Sequence, residues 1–410
     1  MDNQAKRILI LTADAGFGHR SAAKAVAEAL DELYGKACEV TILNPLDNEK
    51  TPFFLRDSQS DYDRIVKEVP EIYRLGYEAS DTAIPGLILE NAITIFLQQT
   101  MLEVLRQYQP DAILSTYPLY QAPLKSIFLA SEYNLPLLTV VTDLVTVHRL
   151  WFHKKVDACL VPNAIVRDLA ESLGVPADRI HITGIPVSPQ ISREKRSQAE
   201  IRTSLGWQPD LPTFLAVGSR RVENLVESLN VFNHFGRPLQ LAVVAGKDDE
   251  LYAELQKVDW HVPAHIYNFV DFMPSLMHAA DGLICKAGGL VVTEALACGL
   301  PMMLVDVLPG QETGNAQYVV DAGAGDLVRT PMAVLETAAH WMAQDGALLK
   351  QRAANARQIG MPRSAYTVAE LTWQAAAAPR SPIEPSQFRQ KLTELGLRLE
   401  SEAQKLATRR

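Results

Sequence analysis

The chain has 410 residues, 48% hydrophobic and 21% charged, an ordinary globular balance and long enough for two domains with separate cores. A net charge of −9 argues against a nucleic-acid binder held by phosphate contacts. Cys38, Cys159, Cys285 and Cys298 share no paired spacing, which fits a reducing cytoplasmic compartment and not a zinc site; no apolar run of ~18 residues is present to span a bilayer, and no signal peptide is visible.

The first apolar run, Ile8–Leu11, leads through Gly16, Phe17, Gly18 and His19 into a helix whose Ala22, Val26, Ala29, Leu30 and Leu33 form one stripe. Glycine suits a tight strand-to-helix turn because it reaches positive φ without steric cost. The N-terminus of such a helix offers unpaired N–H groups to an anion or a polarised hydroxyl. A dinucleotide fingerprint fits poorly. Ser21 takes the third glycine position and the next strand ends at Leu43-Asn44 without an acidic residue, which argues against NAD or FAD.

Further strands are predicted near Val40–Leu43, Ala112–Ser115, Leu137–Val141, Ala158–Val161 and His181–Thr183. The second half repeats the plan near Phe214–Val217, Leu239–Ala245, His265–Tyr267, Leu283–Cys285, Met302–Val305 and Asp326–Val328. Strands alternating with helical runs predict an α/β protein of two Rossmann-like domains facing across a cleft, with ligands at the carboxyl ends of the strands. The expected domains are 1–188 and 189–373, with a hinge near Pro189, a helical insertion at 50–108 and an amphipathic helical tail at 374–410.

In the insertion, Ile88, Ala92, Ile93, Phe96, Leu97, Met101, Val104 and Leu105 recur at helical spacing and read as a packed core helix. Phe53-Phe54-Leu55 is either a loop buried in its own domain or an interfacial wedge. In the tail, Phe388, Leu392, Leu395, Leu399 and Leu406 share one helix side, and docking on the body of the protein is expected. Late in the chain, Gly288-Gly289 opens a helix after a buried strand, a good place for a diphosphate. Glu294, about a turn and a half further on, is placed to accept hydrogen bonds from ribose hydroxyls. A packing glycine pair and a solvated glutamate account for these residues equally well.

Five motifs in order, AGFGHRSAAKA, TVVTDLVTVHRLWFHKKVD, ITGIPV, KAGGLVVTEA and GQETGNAQYVV, resemble the monogalactosyldiacylglycerol synthase and processive diacylglycerol glucosyltransferase family, relatives of the N-acetylglucosaminyltransferase that makes the peptidoglycan lipid precursor. The resemblance runs from Ile8 to Trp373. It implies a GT-B fold and an inverting, metal-independent transfer of a hexose from UDP-glucose or UDP-galactose to diacylglycerol or a related lipid. The protein would be cytoplasmic and peripheral at the inner membrane face, with no cofactor beyond its substrate.

Carried onto this chain, the resemblance makes His19 the general base, with Asp143 either the base itself or the group that orients the histidine. It puts Gly16, Phe17, Gly18, Tyr117, His148, Trp151 and Phe152 on the acceptor side. The donor side takes Gly218, Arg220, Arg221, Phe269, Val270, Phe272, Lys286, Gly288, Gly289, Glu294, Gln311, Glu312 and Asn315. Two departures stand out. The loop Ala216–Asn224 carries one glycine and two arginines where the family has a glycine-rich turn, and Tyr117 stands where the family tends to place a histidine. An arginine at 220 or 221 would supply a bidentate fork for phosphate in place of backbone N–H groups.

Residues 1–190 hold 17 Lys and Arg against 24 Asp and Glu, a charge that favours a same-fold transferase acting on a soluble acceptor. A UDP-sugar 2-epimerase shares the architecture but needs an acid/base cluster around the donor sugar that the sequence does not display. A non-catalytic nucleotide-sugar binder is the remaining alternative.

Overall fold

A computed structural model of the protein describes residues 5–15, 18–52, 55–56, 81–130, 134–218, 225–308, 310 and 312–379. Gly16, Phe17, Phe53, Phe54, Arg220, Arg221, Gln311 and the tail from 380 onward therefore lie outside the described residues.

Among the described residues, twelve strands form two six-stranded sheets, and every strand pair is parallel. The first sheet holds β1 (Lys6–Leu11), β2 (Cys38–Leu43), β3 (Ala112–Ser115), β4 (Leu137–Val140), β5 (Ala158–Val161) and β6 (Ile180–Ile182), in the order β2-β1-β3-β4-β5-β6. The second holds β7 (Thr213–Val217), β8 (Gln240–Val244), β9 (Ala264–Tyr267), β10 (Gly282–Lys286), β11 (Met302–Asp306) and β12 (Gly325–Leu327), in the order β12-β11-β10-β7-β8-β9. Each strand coincides with one of the twelve apolar runs, within two residues at either end. All of β3, β4 and β5 is buried, as expected of parallel strands covered on both faces.

Strand order reverses once in each sheet, between β1 and β3 in the first and between β10 and β7 in the second. At such switch points the crossing helices diverge and leave a crevice outside the strands' carboxyl ends. Helix α1 (Gly18–Tyr34) follows β1 and buries Ala22, Ala23, Ala25, Val26, Ala29 and Leu30, while Leu33 turns outward. Helix α2 (Ala83–Tyr108) packs Ile93, Leu97, Met101, Val104 and Leu105 into the first core. Helix α3 (Gly289–Cys298) follows β10, and α4 (Thr313–Asp321) follows β11.

One expectation changes. Helix α2 is not a purely packed helix, because Ile88 and Ile95 are 65% and 72% exposed and Leu89 and Phe96 are also exposed. It is apolar on more than one face, so a single buried stripe cannot absorb all of its apolar side chains. The end of the second half also reaches back to the first sheet. Helix α5 (Ser364–Ala377) sets Ala365, Tyr366, Val368, Ala369 and Ala376 against Ile8, Ile10, Ala23, Val26, Leu114 and Leu138 of the first sheet and α1. The Tyr366 hydroxyl donates to Glu32 Oε2 at 2.6 Å.

Candidate active site

The two switch points face each other. His19 lies in the first turn of α1, just beyond β1, and Gly288–Gly289 open α3, just beyond β10. Between them runs the segment after β4. Its Thr142 lies on the His19 side, with Oγ1 2.7 Å from His19 Nδ1. On the other side, a Cβ built on Gly289 would lie 3.7 Å from the Thr142 carbonyl oxygen and 4.0 Å from the Leu144 nitrogen. Gly314 is closer still to this segment, since its Cβ would come within 2.6 Å of Thr146 Oγ1. Asn163 donates to the Leu144 carbonyl at 2.7 Å and holds the segment in place, while Leu144 itself joins the core of the second sheet.

Around His19, the Tyr117 ring meets the imidazole edge-on at 5.0 Å and the Trp151 ring lies 5.9 Å away. His19 is half-buried, and the protein packed around the ring pushes its pKa down to about 4, so the imidazole is neutral at physiological pH. Asp143 does not contact His19. Its Oδ2 accepts the Trp151 indole N–H at 2.7 Å, and burial pushes the carboxyl up to about 6. The imidazole's hydrogen-bonding neighbour on this segment is Thr142, a residue to which the sequence reading gave no role.

Trp151 is 1% exposed, a wall beneath the histidine and not a surface for lipid; Phe152 is half-buried beside the same core. His148 is buried and caps the turn Arg149–Trp151 by accepting from the Leu150 amide at 3.2 Å. Asp81, just ahead of α2, accepts the Arg149 amide at 2.6 Å and lies 3.7 Å from His148 Nδ1. Burial lowers the His148 pKa.

On the opposite wall, Lys286 Nζ donates to Glu312 Oε1 at 2.8 Å, and Glu312 Oε2 accepts the Leu308 amide at 3.0 Å. Gly288 lies under this pair, since a Cβ there would come 3.3 Å from Lys286 Cε and 3.5 Å from Glu312 Oε1. Asn315 donates to the Ala287 carbonyl at 3.0 Å, and its buried Oδ1 has no partner among the described residues. Glu294 has neither hydrogen bond nor ion pair among the described residues, and burial pushes its pKa to about 7. Lys286, Gly288, Gly289, Glu312 and Asn315 thus gather around the start of α3, and Glu294 lies further along the helix.

Phe269 is 56% exposed with the Lys247 ammonium 4.2 Å from its ring centre; Val270 is buried and Phe272 half-buried. Gly218 has a packing reason for being glycine, since a Cβ there would meet Leu251 Cδ2 at 2.6 Å and Leu225 Cδ2 at 3.0 Å. A cavity of about 520 Å³ lies elsewhere, between β6 and α5, and contains none of the expected site residues. Convergence of polar groups, not cavity size, marks the cleft.

Residues 19–187 match the family model for monogalactosyldiacylglycerol (MGDG) synthase, and residues 213–359 match the glycosyltransferase family 28 C-terminal domain. The chloroplastic MGDG synthase of Spinacia oleracea is 31% identical over 376 residues, covering 88% of this chain and 71% of the relative. This chain belongs to the MGDG synthase family. The probable MGDG synthase 2 of Oryza sativa subsp. japonica is 32% identical over 393 residues, covering 92% of this chain and 83% of its own.

Among solved structures, MurG of Acinetobacter baumannii superposes with a TM-score of 0.57 at 16% identity, covering 90% of this chain and 99% of that one. The UDP-GlcNAc 2-epimerase of Neisseria meningitidis, bound to UDP-GlcNAc, gives the same TM-score and identity over 90% of this chain and 100% of that one. These likenesses establish the two-sheet GT-B architecture and do not separate transferase from epimerase. Membership of the MGDG synthase family does: the protein is a glycosyltransferase.

Proposed function

We propose that this MGDG synthase family member transfers a hexose, with inversion, from UDP-galactose or UDP-glucose to diacylglycerol or a closely related lipid at a membrane surface. The observation that carries the reading is the approach of His19 and the start of α3 across the Thr142–Leu144 segment. A base and an anion-binding helix N-terminus on opposite walls are what an in-line displacement at an anomeric carbon requires.

In this reading the acceptor hydroxyl enters beside His19, whose neutral ring takes the proton as the oxygen attacks C1. The bond from C1 to the UDP oxygen breaks on the far face, which inverts the anomeric centre. Negative charge grows on the diphosphate as it leaves, and the α3 N–H groups with the Lys286 ammonium meet it there. Glu294, with no hydrogen bond or ion pair among the described residues, accepts the ribose hydroxyls, while Glu312 and Asn315 read the sugar.

The lipid acceptor is supported by the names of the relatives and by the exposed Ile88, Leu89, Ile95 and Phe96 of α2. That helix is tied to the acceptor side, because Asp81 just before it bonds the Arg149 amide two residues from Trp151. Incubating the protein with each UDP-hexose and diacylglycerol vesicles tests the reading. A β-linked glycolipid from an α-linked donor is the expected product; epimerised nucleotide sugar, or transfer only to a soluble acceptor, overturns it.

A further inference from the structure

Thr142 is 7% exposed, and its hydroxyl has one hydrogen-bonding neighbour among the described residues, His19 Nδ1 at 2.7 Å. The backbone of the same residue faces the start of α3, so one residue touches the histidine of the first domain and the glycine of the second. A histidine can act as a base only through the nitrogen that carries no proton, and the partner of the other nitrogen decides which one that is. If the threonine hydroxyl accepts, Nδ1 carries the proton and Nε2 is the lone pair available to the cleft. If it donates, Nδ1 is consumed as an acceptor and Nε2 carries the proton.

We propose that Thr142 is a positioning residue that accepts the Nδ1–H of His19, fixes the tautomer with a basic Nε2, and links that orientation to the packing of the two domains at Gly289. The backbone of the histidine is held as well, since the Thr116 hydroxyl donates to the His19 main-chain carbonyl at 3.1 Å. The adjacent carboxylate cannot substitute, because Asp143 is committed to the Trp151 indole. The proposal rests on the transferase reading, because the 2.7 Å contact admits either tautomer and a base acting through Nε2 is what selects this one.

The test has two arms. In protein with 15N-labelled histidine, the His19 ring at neutral pH is expected to show a protonated Nδ1 and an unprotonated Nε2, assigned by comparison with His19→Gln. The reverse pattern overturns the proposal whether or not the protein is a transferase. For kinetics, Thr142→Val keeps the volume and removes the hydroxyl, while Thr142→Ser keeps the hydroxyl. Valine should lower kcat ~10- to 100-fold, part of what a well-placed general base supplies, with KM for the UDP-hexose and the melting temperature little changed, and serine should restore most of the rate. Equal kcat in valine and parent overturns the proposal, as does a serine variant no better than valine. If serine and valine both lose thermal stability, the ring assignment in the parent still decides. A parent with no transfer to diacylglycerol but the expected tautomer counts against the function and not against the positioning.

Discussion

Lys286 reaches across Gly288 to the buried carboxylate of Glu312, so the cation nearest the start of α3 is already neutralised by a partner on the next βα loop. An incoming diphosphate must compete with that carboxylate. Lys286→Met should cost ~3 kcal/mol of stability, as for breaking a buried pair, because Glu312 keeps only its amide partner. Adding Glu312→Gln should recover most of the stability without recovering UDP affinity. Thermal melts and calorimetric UDP titration of the single and double variants check both halves, and recovered affinity in the double variant would remove Lys286 from the donor site.

His19→Ala should lower turnover by ~10²–10⁴ with UDP binding almost unchanged, the signature of a group that acts in the transition state and not in donor capture. Normal turnover in a folded variant would pass the role to Asp143.

The acid limb of the rate profile separates those two groups. With donor saturating, kcat/KM for the acceptor should stay level down to about pH 4 if His19 is the base, since the ring protonates only there. A fall centred near pH 6 would point to Asp143 instead.

Glu294 predicts a trade between stability and binding. Its folded pKa of about 7 lies above its ordinary 4.5, so the folded state binds the proton more tightly than the unfolded chain does. The sign follows: stability falls as pH rises from 4.5 to 7, and the full cost is present above 7. Glu294→Gln should therefore stabilise the unliganded protein at pH 8, by ~1–3 kcal/mol, while weakening UDP. A variant that loses stability at pH 8 would show the carboxylate to be compensated in a way the described contacts do not reveal.

Ile88→Ser with Ile95→Ser should reduce co-sedimentation with diacylglycerol-containing vesicles and leave UDP binding intact. Both side chains are mostly exposed, and burying each in lipid contributes ~1.5–3 kcal/mol, so attachment should be reversible. Unchanged sedimentation would clear α2 of membrane contact.

The fold was legible because buried parallel strands are short unbroken apolar runs, so Ala112–Ser115 and Ala158–Val161 announce themselves without periodicity. Thr142 was not. Asp143 drew attention as the residue with titratable chemistry, but neighbours in an extended chain point to opposite sides, so only one of the two can meet His19. The glycine at 218 misled for a similar reason, because the sequence does not say whether a missing Cβ admits a ligand or two leucines. The destination of α5 was hidden too. An apolar helix face specifies that something is buried, not which of two sheets supplies the partner.

That destination bears on how the protein is made. The first sheet is complete once β6 leaves the ribosome, yet the helix that covers Ile8, Ile10 and Leu114 is encoded by residues 364–377, after the entire second sheet. At ~5–20 residues per second the gap is roughly 10–40 s. Throughout that interval α1 alone covers this face of the nascent N-terminal domain, and the part that α5 will bury stays open. A stop codon ahead of Ser364 would therefore leave the first domain, not the second, as the aggregating half.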